Sequence, residues 1–198
     1  MSLALSGGHT PGPVYEELAS SPDPHWDRTD VFFADERAVG PEDPASNYRL
    51  ARETLLDRVD IPPEQVHPMF AEAPGRNREA LASAALAYED VLPPRLDVLI
   101  LGLGEDGHTA SLFPGSDALS EVRRRVVPAI GPTEPRHRLT ITPAVIHAAR
   151  LVVILVRGPE KREAVRRALD AADGTVRDTP GRLARHGIWI LDSEAAAS

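Results

Sequence analysis

The amino-acid sequence predicts an α/β domain in which a mainly parallel sheet is flanked by helices. The chain has 198 residues, of which 42% are hydrophobic and 26% charged, which suits one compact domain with a substantial core. Short β-branched or aliphatic segments alternate with amphipathic segments, as strands of a parallel sheet alternate with helices. The 19 prolines are scattered and no internal repeat divides the chain. Residues 1–198 are therefore expected to form a single domain.

Short runs of β-branched or aliphatic residues predict eight strands. They are Leu3 to Leu5, Val31 to Ala34, Val66 to Met69, Val98 to Leu101, Val126 to Ile130, Leu139 to Ile141, Leu151 to Val156 and Gly187 to Leu191. Amphipathic spacing predicts five helices. They are Pro13 to Ala19, Tyr48 to Val59, Arg78 to Val91, Pro143 to Ala149 and Lys161 to Ala171. Thr10 is the expected N-cap of the first helix and Ser46 that of the second.

The composition argues against several classes of function. A formal net charge of −8 disfavours binding to nucleic acid or to an anionic membrane, because both attract basic surfaces. No apolar run approaches the roughly 20 residues of a membrane-spanning helix, and the chain begins without a secretory signal, so a cytoplasmic location is expected. The absence of cysteine excludes disulfides, thiolate metal sites and cysteine nucleophiles. An anionic ligand would need local backbone N–H groups and a few arginine or lysine side chains.

The segment Ser6-Gly7-Gly8-His9-Thr10-Pro11 follows the first strand and begins a helix. Glycines at that position allow backbone N–H groups to approach an anion at the positive end of the helix. Proline is tolerated in the first turn of a helix, where its missing N–H costs little. An ordinary tight turn between a strand and a helix is the alternative interpretation, and the segment alone is a weak signal.

Three charged residues, Asp35, Glu36 and Arg37, directly follow the apolar strand that ends at Ala34. Ligands of open parallel sheets bind at the carboxyl ends of the strands, so these side chains are candidates for a site. A solvated turn with an internal ion pair is the alternative.

The segment from Gly102 to Thr109 follows a strand and reads Gly-Leu-Gly-Glu-Asp-Gly-His-Thr. It nearly matches the dinucleotide-binding pattern G-x-G-x-x-G, but a Pro-Gly pair interrupts the following helix within two turns, and Glu105 and Asp106 would repel a pyrophosphate. It also nearly matches a P-loop, but His108 occupies the position of the required lysine. Neither nucleotide-binding motif is therefore predicted.

His108 lies on this glycine-rich turn, with Asp106 two residues before it. A neutral imidazole whose tautomer is fixed by a carboxylate can abstract a proton from water, which makes His108 a candidate general base. A histidine on a surface turn is the alternative. The other histidines show no paired metal-ligand spacing, and a G-x-S-x-G elbow is absent. The sequence therefore predicts no metal, no cofactor and no serine nucleophile.

Taken together and in this order, these motifs resemble the 6-phosphogluconolactonase family. The matching segments are Leu5 to Pro11, Asp35 to Arg37 with Ser46 and Asn47, Gly102 to Gly115, Arg138 to Thr142, Gly158 to Lys161, and Trp189 to Asp192. The third segment, GLGEDGHTASLFPG, is the most specific. Its continuation after the histidine separates the chain from the related glucosamine-6-phosphate deaminases, which share the Asp-Gly-His turn.

The resemblance implies a fold, a reaction and a set of site residues. The fold would be a Rossmann-like three-layer α/β sandwich, and the reaction would be hydrolysis of 6-phospho-D-glucono-1,5-lactone in the oxidative pentose phosphate pathway. His108 would be the general base for water, Arg37 the partner of the oxyanion or lactone, and Asp106, Asp35 and Glu36 orienting groups. Lys161 and Arg138 would add positive charge to the phosphate loop. The binding residues would be Ser6, Gly7, Gly8, His9, Thr10, Asn47, Arg138 and Lys161.

Two features depart from the family pattern. Family members usually carry a further helix and strand before the glycine loop, so the strand Leu3 to Leu5 is expected to lack a preceding neighbour and to leave apolar surface uncovered. His9 replaces the serine commonly found in the loop, which would alter a phosphate contact without removing the backbone donors.

Two other functions are compatible with the sequence. One is a sugar-phosphate isomerase or deaminase of the same fold, because function depends on the site and not on the fold. The other is a non-catalytic sugar-phosphate-binding protein, against which Arg37 and His108 argue. The expected partner is a small phosphorylated sugar lactone, with no nucleic acid and no membrane, and the chain is expected to be a monomer or a weak homo-oligomer.

Overall fold

Eight strands and six helices are present in the computed structural model, which describes residues 1–22, 25–71, 78–170, 172 and 174–196. The strands are β1 (Ser2–Leu5), β2 (Asp30–Phe33), β3 (Asp35–Arg37), β4 (Val98–Gly102), β5 (Val126–Ile130), β6 (His137–Ile141), β7 (Leu151–Val156) and β8 (Ile188–Leu191). The helices are α1 (Pro11–Ser20), α2 (Asn47–Thr54), α3 (Arg78–Val91), α4 (Pro143–Ala148), α5 (Arg162–Leu169) and α6 (Ser193–Ala196).

The central sheet has five parallel strands in the order β2-β1-β4-β7-β8. From β1 the chain passes through α1 to β2 on one side of β1, whereas β4 is followed outward by β7 and β8 on the other side. The strand order therefore reverses between β1 and β4, which leaves a crevice outside their carboxyl ends. A second sheet has three antiparallel strands in the order β3-β6-β5. The predicted fold class, with a mainly parallel sheet and helices, is confirmed.

The interior strands of the central sheet supply much of the core. In β1, Leu3 is 4% exposed and Leu5 is fully buried, and in β4 Leu99 and Leu101 are fully buried. Strands of a parallel sheet are covered on both faces, which explains why these segments are uninterrupted aliphatic runs. The expectation that β1 would leave apolar surface uncovered is wrong, because β1 lies between β2 and β4, both later in the chain, and its four residues are buried.

One predicted strand is absent from the structure, and one strand was not predicted. The segment Val66 to Met69 does not form a strand, and only Val66 makes an isolated parallel bridge, to Val31. The charged segment Asp35 to Arg37, for which no strand was predicted, is itself strand β3. It forms because its partner in the antiparallel ladder is β6, a segment distant in sequence that the local pattern cannot reveal.

The helix boundaries are corrected by local geometry. The second predicted helix ends at Thr54 instead of Val59 and is followed by a 3-10 turn, Leu56–Arg58. The last predicted helix begins at Arg162 and ends at Leu169, and its expected end at residue 171 lies outside the described residues. The Ser46 N-cap is confirmed, since its Oγ accepts the backbone N–H of Arg49 at 3.1 Å. Thr10 precedes α1, but its side chain makes no capping hydrogen bond.

Candidate active site

A cavity of about 460 Å³ lies outside the carboxyl ends of β1 and β4. It occupies the crevice where the strand order reverses, which is the expected ligand position in an open parallel sheet. Eleven predicted site residues line it, namely Ser6, Gly7, Gly8, His9, Thr10, Asp35, Arg37, Asn47, His108, Arg138 and Lys161. Glu36 and Asp106 do not line the cavity, although each touches residues that do.

The turn from Gly104 to His108, called here the histidine turn, is held by backbone hydrogen bonds. The N–H of Gly104 donates to the carbonyl of His108 at 2.8 Å, and the N–H of Gly107 donates to the carbonyl of Gly104 at 2.9 Å. Gly107 has a φ of 90°, in the left-handed region that favours glycine. A Cβ on Gly104 would overlap the His108 ring, so the sequence at this turn allows the imidazole to lie close to the backbone.

Asp106 orients the His108 ring. Its Oδ1 lies 2.6 Å from Nδ1 of His108 and also accepts the backbone N–H of His108 at 3.0 Å. The centre of the Phe113 ring lies 4.7 Å from the centre of the imidazole and limits its rotation from another side. Because a carboxylate can only accept, Nδ1 carries the proton and donates it in this hydrogen bond, and the neutral ring has Nε2 as its acceptor.

The charge of Asp106 is maintained by the same contacts. Burial raises the pKa of Asp106, but the hydrogen bonds from the ring and the backbone of His108 outweigh that effect and hold the pKa below its usual range. Asp106 is therefore an acceptor in the physiological pH range. A proton taken up at Nε2 would give an imidazolium adjacent to this negative charge.

Arg37 and Arg138 are cross-strand partners on β3 and β6. The Nη1 group of Arg37 donates to the carbonyl of Ala45 at 2.6 Å, and Cζ of Arg138 lies 5.7 Å from the centre of the Phe113 ring. The Nε atoms of both arginines are buried without a hydrogen-bond partner among the described residues. Burial and the nearby positive charge of Arg37 lower the pKa of Arg138. Both arginines line the cavity, so the pair places two positive charges beside it.

The two carboxylates before Arg37 are buried and hydrogen-bonded. The carboxylate of Asp35 accepts hydrogen bonds from Nδ2 of Asn47, at 3.1 Å, and from Oγ of Ser111, at 2.5 Å. Glu36 accepts the backbone N–H groups of Asn47 and Tyr48, each at 2.8 Å, at the beginning of α2. Burial raises the pKa of Glu36, and these backbone hydrogen bonds offset part of the increase. Glu36 therefore anchors β3 to α2 from outside the cavity.

The five residues of the glycine loop, defined as Ser6 to Thr10, line the cavity. Within the described ranges, the N–H groups of residues 7 to 10 donate no hydrogen bond to another protein group. Gly8 has a φ of 100°, and a Cβ on Gly7 would overlap the side-chain oxygen of Asn47. The Ser6 hydroxyl is occupied, since it donates to the carbonyl of Ile100 at 2.9 Å. The loop can therefore offer backbone donors at the beginning of α1.

Lys161 lies on the same cavity, before α5. Its Nζ is 4.0 Å from Oε1 of Glu105, and 17% of its side chain is exposed. The connection that carries it begins at Gly158, whose φ is 102° and whose N–H donates to the carboxylate of Asp192 at 3.1 Å. Lys161 and the glycine loop therefore belong to one cavity, although their segments are far apart in the sequence.

A family model described as glucosamine-6-phosphate isomerases/6-phosphogluconolactonase matches residues 1–190. The chain belongs to this family. A 6-phosphogluconolactonase of Synechocystis is 39% identical over 207 residues, covering 98% of this chain and 82% of the relative. One of Mycobacterium tuberculosis is 42% identical over 183 residues, covering 87% of this chain and 74% of the relative.

Solved structures of the isomerase and lactonase family have the same fold. The 6-phosphogluconolactonase of Trypanosoma brucei superposes with a TM-score of 0.85 at 34% identity, covering 99% of this chain and 85% of that chain. A monomeric glucosamine-6-phosphate deaminase superposes with a TM-score of 0.82 at 22% identity, covering 99% of this chain and 87% of that chain. The second comparison shows the fold alone, because this fold carries more than one chemistry.

The sequence interpretation missed several residues at the cavity of this family member. Arg157, Glu160 and Ala110 line it, and Ser111 binds Asp35 behind it. Arg157 directly follows β7, so the rule that ligands bind at the carboxyl ends of strands could have identified it. The contact of Ser111 joins two segments 76 residues apart, and no local pattern predicts it.

The structure also bears on metal sites and on membrane spans. Across the described ranges, no group of three or more histidine or acidic side chains is arranged to hold a metal ion. The helices of the same residues include none long and apolar enough to cross a membrane.

Proposed function

We propose that this chain hydrolyses 6-phospho-D-glucono-1,5-lactone to 6-phospho-D-gluconate, with His108 as the general base for water. One observation carries the proposal: the His108 ring, oriented at Nδ1 by Asp106, lines the same cavity as Arg37 and Arg138. A base and a pair of cations in one cavity suit the attack of water on a carbonyl. The names of the relatives at 39% and 42% identity support the same substrate.

The attack step uses Nε2 of His108. This atom takes a proton from water while the water oxygen forms a bond to C1 of the lactone, and the imidazolium that forms is stabilised by Asp106. Negative charge moves to the carbonyl oxygen. Arg37 donates hydrogen bonds to that oxygen, and such preorganised donors typically contribute about 3 to 4 kcal/mol to lowering the barrier.

The second step opens the ring. The tetrahedral intermediate collapses, the bond between C1 and the ring oxygen breaks, and the proton held on His108 passes to that oxygen, which becomes the C5 hydroxyl. The product carboxyl group loses its proton to solvent at neutral pH. Water is consumed, no covalent enzyme intermediate forms, and His108 returns to its neutral state.

The phosphate group would bind between the glycine loop and Lys161. The unused N–H groups of residues 7 to 10 and the beginning of α1 supply donors and a positive dipole. Lys161 adds a full charge on the same cavity. Local attraction of this kind is needed because the whole chain has a formal charge of −8. We assign Arg138 to the lactone end, because it is paired with Arg37 across β3 and β6.

The decisive assay uses lactone generated immediately before mixing with the purified protein. Rapid formation of 6-phosphogluconate above the spontaneous rate is the expected result, and glucosamine 6-phosphate should yield no ammonia. Ammonia release without lactone hydrolysis would favour the deaminase alternative. Saturable binding of 6-phosphogluconate without turnover of either compound would favour a non-catalytic sugar-phosphate-binding protein.

The biological context is part of the proposal. A role in the oxidative pentose phosphate pathway and a cytoplasmic location follow from the proposed substrate, and cell fractionation with an activity assay checks the location. The single domain over residues 1–198 and the monomeric or weakly associated state stay predictions. Light scattering of the purified chain measures the oligomeric state directly.

A further inference from the structure

Ser111 connects the segment after His108 to both strands that carry the arginines. Its side chain is fully buried, and its Oγ donates to Oδ2 of Asp35 at 2.5 Å. Its backbone N–H donates to Oγ1 of Thr140 at 3.1 Å. Thr140 is the cross-strand partner of Asp35. Ser111 is therefore bound to β3 and to β6 at one register position.

The backbone between His108 and Ser111 is in an unfavourable conformation. Ala110 has a φ of 49°, in the left-handed region that a residue with a Cβ rarely occupies. Such a conformation persists when the residues on both sides are fixed. On one side, Oγ1 of Thr109 donates to the carbonyl of Gly102 at 2.9 Å, and on the other side Ser111 is bound to Asp35.

The contact continues from Asp35 to the glycine loop. Nδ2 of Asn47 donates to Oδ1 of Asp35 at 3.1 Å and to its backbone carbonyl at 2.8 Å. The oxygen of the same amide packs against Gly7 so closely that a Cβ there would overlap it. A buried polar chain, Ser111-Asp35-Asn47, therefore joins the histidine turn, β3 and the glycine loop.

We propose that Ser111 is a positioning residue that sets the distance and angle between His108 and Arg37. Both carboxylate oxygens of Asp35 are occupied, so Asp35 acts as the buried anchor for this contact and does not transfer protons. Without the Ser111 hydroxyl, the segment from His108 to Ser111 loses its attachment to β3 and relaxes toward a less strained backbone. This proposal rests on the proposed function, because it concerns the relative positions of the base and the cation.

The test compares Ser111→Ala with Ser116→Ala. Ser116 follows on the same loop, and its buried Oγ has no hydrogen-bond partner among the residues that the structure describes, so it is a matched control. We expect Ser111→Ala to lower kcat roughly 10- to 100-fold with KM changed less than about threefold, because small misplacements of reacting groups have effects of that size. Ser116→Ala should keep kcat within about twofold of the original chain. A thermal unfolding measurement checks that each variant is folded at the assay temperature.

A double-mutant cycle adds a second criterion. Since Ser111 and Asp35 act as one unit, Ser111→Ala combined with Asp35→Asn should lower kcat no further than the more damaging single change. If Ser111→Ala does not fold, Ser111→Cys keeps the shape of the side chain with a larger atom that is a weaker donor, and it should also lower kcat. A folded Ser111 variant with kcat within about twofold of the original chain, or with only KM raised, would overturn the proposal.

The NMR signal of the His108 imidazole C–H gives a readout that does not depend on turnover. It should shift and broaden in Ser111→Ala and stay unchanged in Ser116→Ala. If the original chain failed to hydrolyse the lactone, the proposed function would fail, while this signal would still report the positioning effect. An imidazole signal that is the same in all three proteins would overturn the positioning role.

Discussion

Arg37 and Arg138 lie directly opposite each other on β3 and β6, and the Nε of each is buried without a hydrogen-bond partner among the described residues. Like charges at opposed positions destabilise a strand pair, and unpaired buried donors add a further cost. An anion in the cavity would offset the repulsion between the two positive charges. The arrangement therefore favours ligand binding over the stability of the empty protein.

Replacement of Arg37 by Met should separate activity from stability. The change removes the repulsion with Arg138 but also the hydrogen bond to Ala45, so the free energy of unfolding should change by less than about 1 kcal/mol. Turnover should fall roughly 10²- to 10³-fold, as when an oxyanion donor is removed. Urea unfolding and steady-state kinetics measure the two quantities. Unchanged kcat in a folded Arg37→Met protein would remove Arg37 from the mechanism.

Asp106→Asn should impair the base without preventing folding. An amide can donate to Nδ1 and so place the ring proton on Nε2, where it blocks the acceptor. We expect kcat to fall roughly 10²- to 10⁴-fold. Wild-type kcat in this variant would show that the 2.6 Å contact does not set the tautomer.

Asp106→Asn should also change how the free energy of unfolding depends on pH. The pKa of Asp106 is held below its usual range in the folded chain, so its ionised form contributes stability above the unfolded pKa of about 3.9. That contribution is lost as pH falls through the lower folded value. The difference in unfolding free energy between the original chain and Asp106→Asn should therefore be largest near neutral pH and shrink in acid. A difference that grows in acid would contradict the direction of the pKa shift.

Gly7→Ala and Gly12→Ala form a matched pair at the beginning of α1. A Cβ on Gly7 would overlap the buried amide of Asn47, and such overpacking typically costs about 1 to 3 kcal/mol. A Cβ on Gly12 would meet only ordinary contacts at 3.7 and 3.9 Å, and alanine in a helix gains roughly 0.5 to 1 kcal/mol over glycine. Thermal unfolding should therefore show opposite shifts, and KM should rise only for Gly7→Ala. Equal shifts would mean that the Asn47 side chain moves aside at little cost.

The sequence predicted the parts of the site better than their connections. The apolar strands that end at Leu5 and Gly102 were recognisable as aliphatic runs, and the rule that ligands bind at the carboxyl ends of strands marked Arg37, which lines the cavity, as a candidate. Strand β3 was missed because a charged tripeptide has no strand pattern of its own and depends on pairing with β6.

Contacts between distant segments could not be predicted either, because they depend on how segments far apart in the sequence pack together. The bond between Ser111 and Asp35 follows from the packing of the histidine turn against the second sheet, and the serine has no local feature that marks it. The pairing of Arg37 with Arg138 likewise follows from the register of β3 and β6. Local patterns report burial and turns, whereas register is set by the whole fold.

Lys161 should bind the phosphate group of the substrate. Lys161→Met should raise KM about tenfold or more with a smaller change in kcat, since a charge-assisted hydrogen bond contributes roughly 1.5 to 3 kcal/mol. The control is Arg150→Met, which removes a charge just before β7, at the opposite end of the strand from the cavity. Equal effects of the two changes would indicate a general charge effect.

Chemical labelling offers an independent check, because Lys161 is the single lysine of the sequence. An amine-reactive reagent should modify Lys161 and the N-terminus, and 6-phosphogluconate should protect only Lys161. Mass spectrometry resolves the two positions. Labelling of Lys161 that is insensitive to saturating 6-phosphogluconate would remove it from the phosphate site.

The most direct test of the whole account is the turnover of His108→Asn with freshly generated lactone, after subtraction of the spontaneous rate. The histidine turn is held by its own backbone hydrogen bonds, so the variant should fold and its unfolding temperature should stay close to that of the original chain. Loss of the general base should lower kcat roughly 10²- to 10⁴-fold. A folded His108→Asn protein with kcat within about threefold of the original chain would contradict the proposed mechanism.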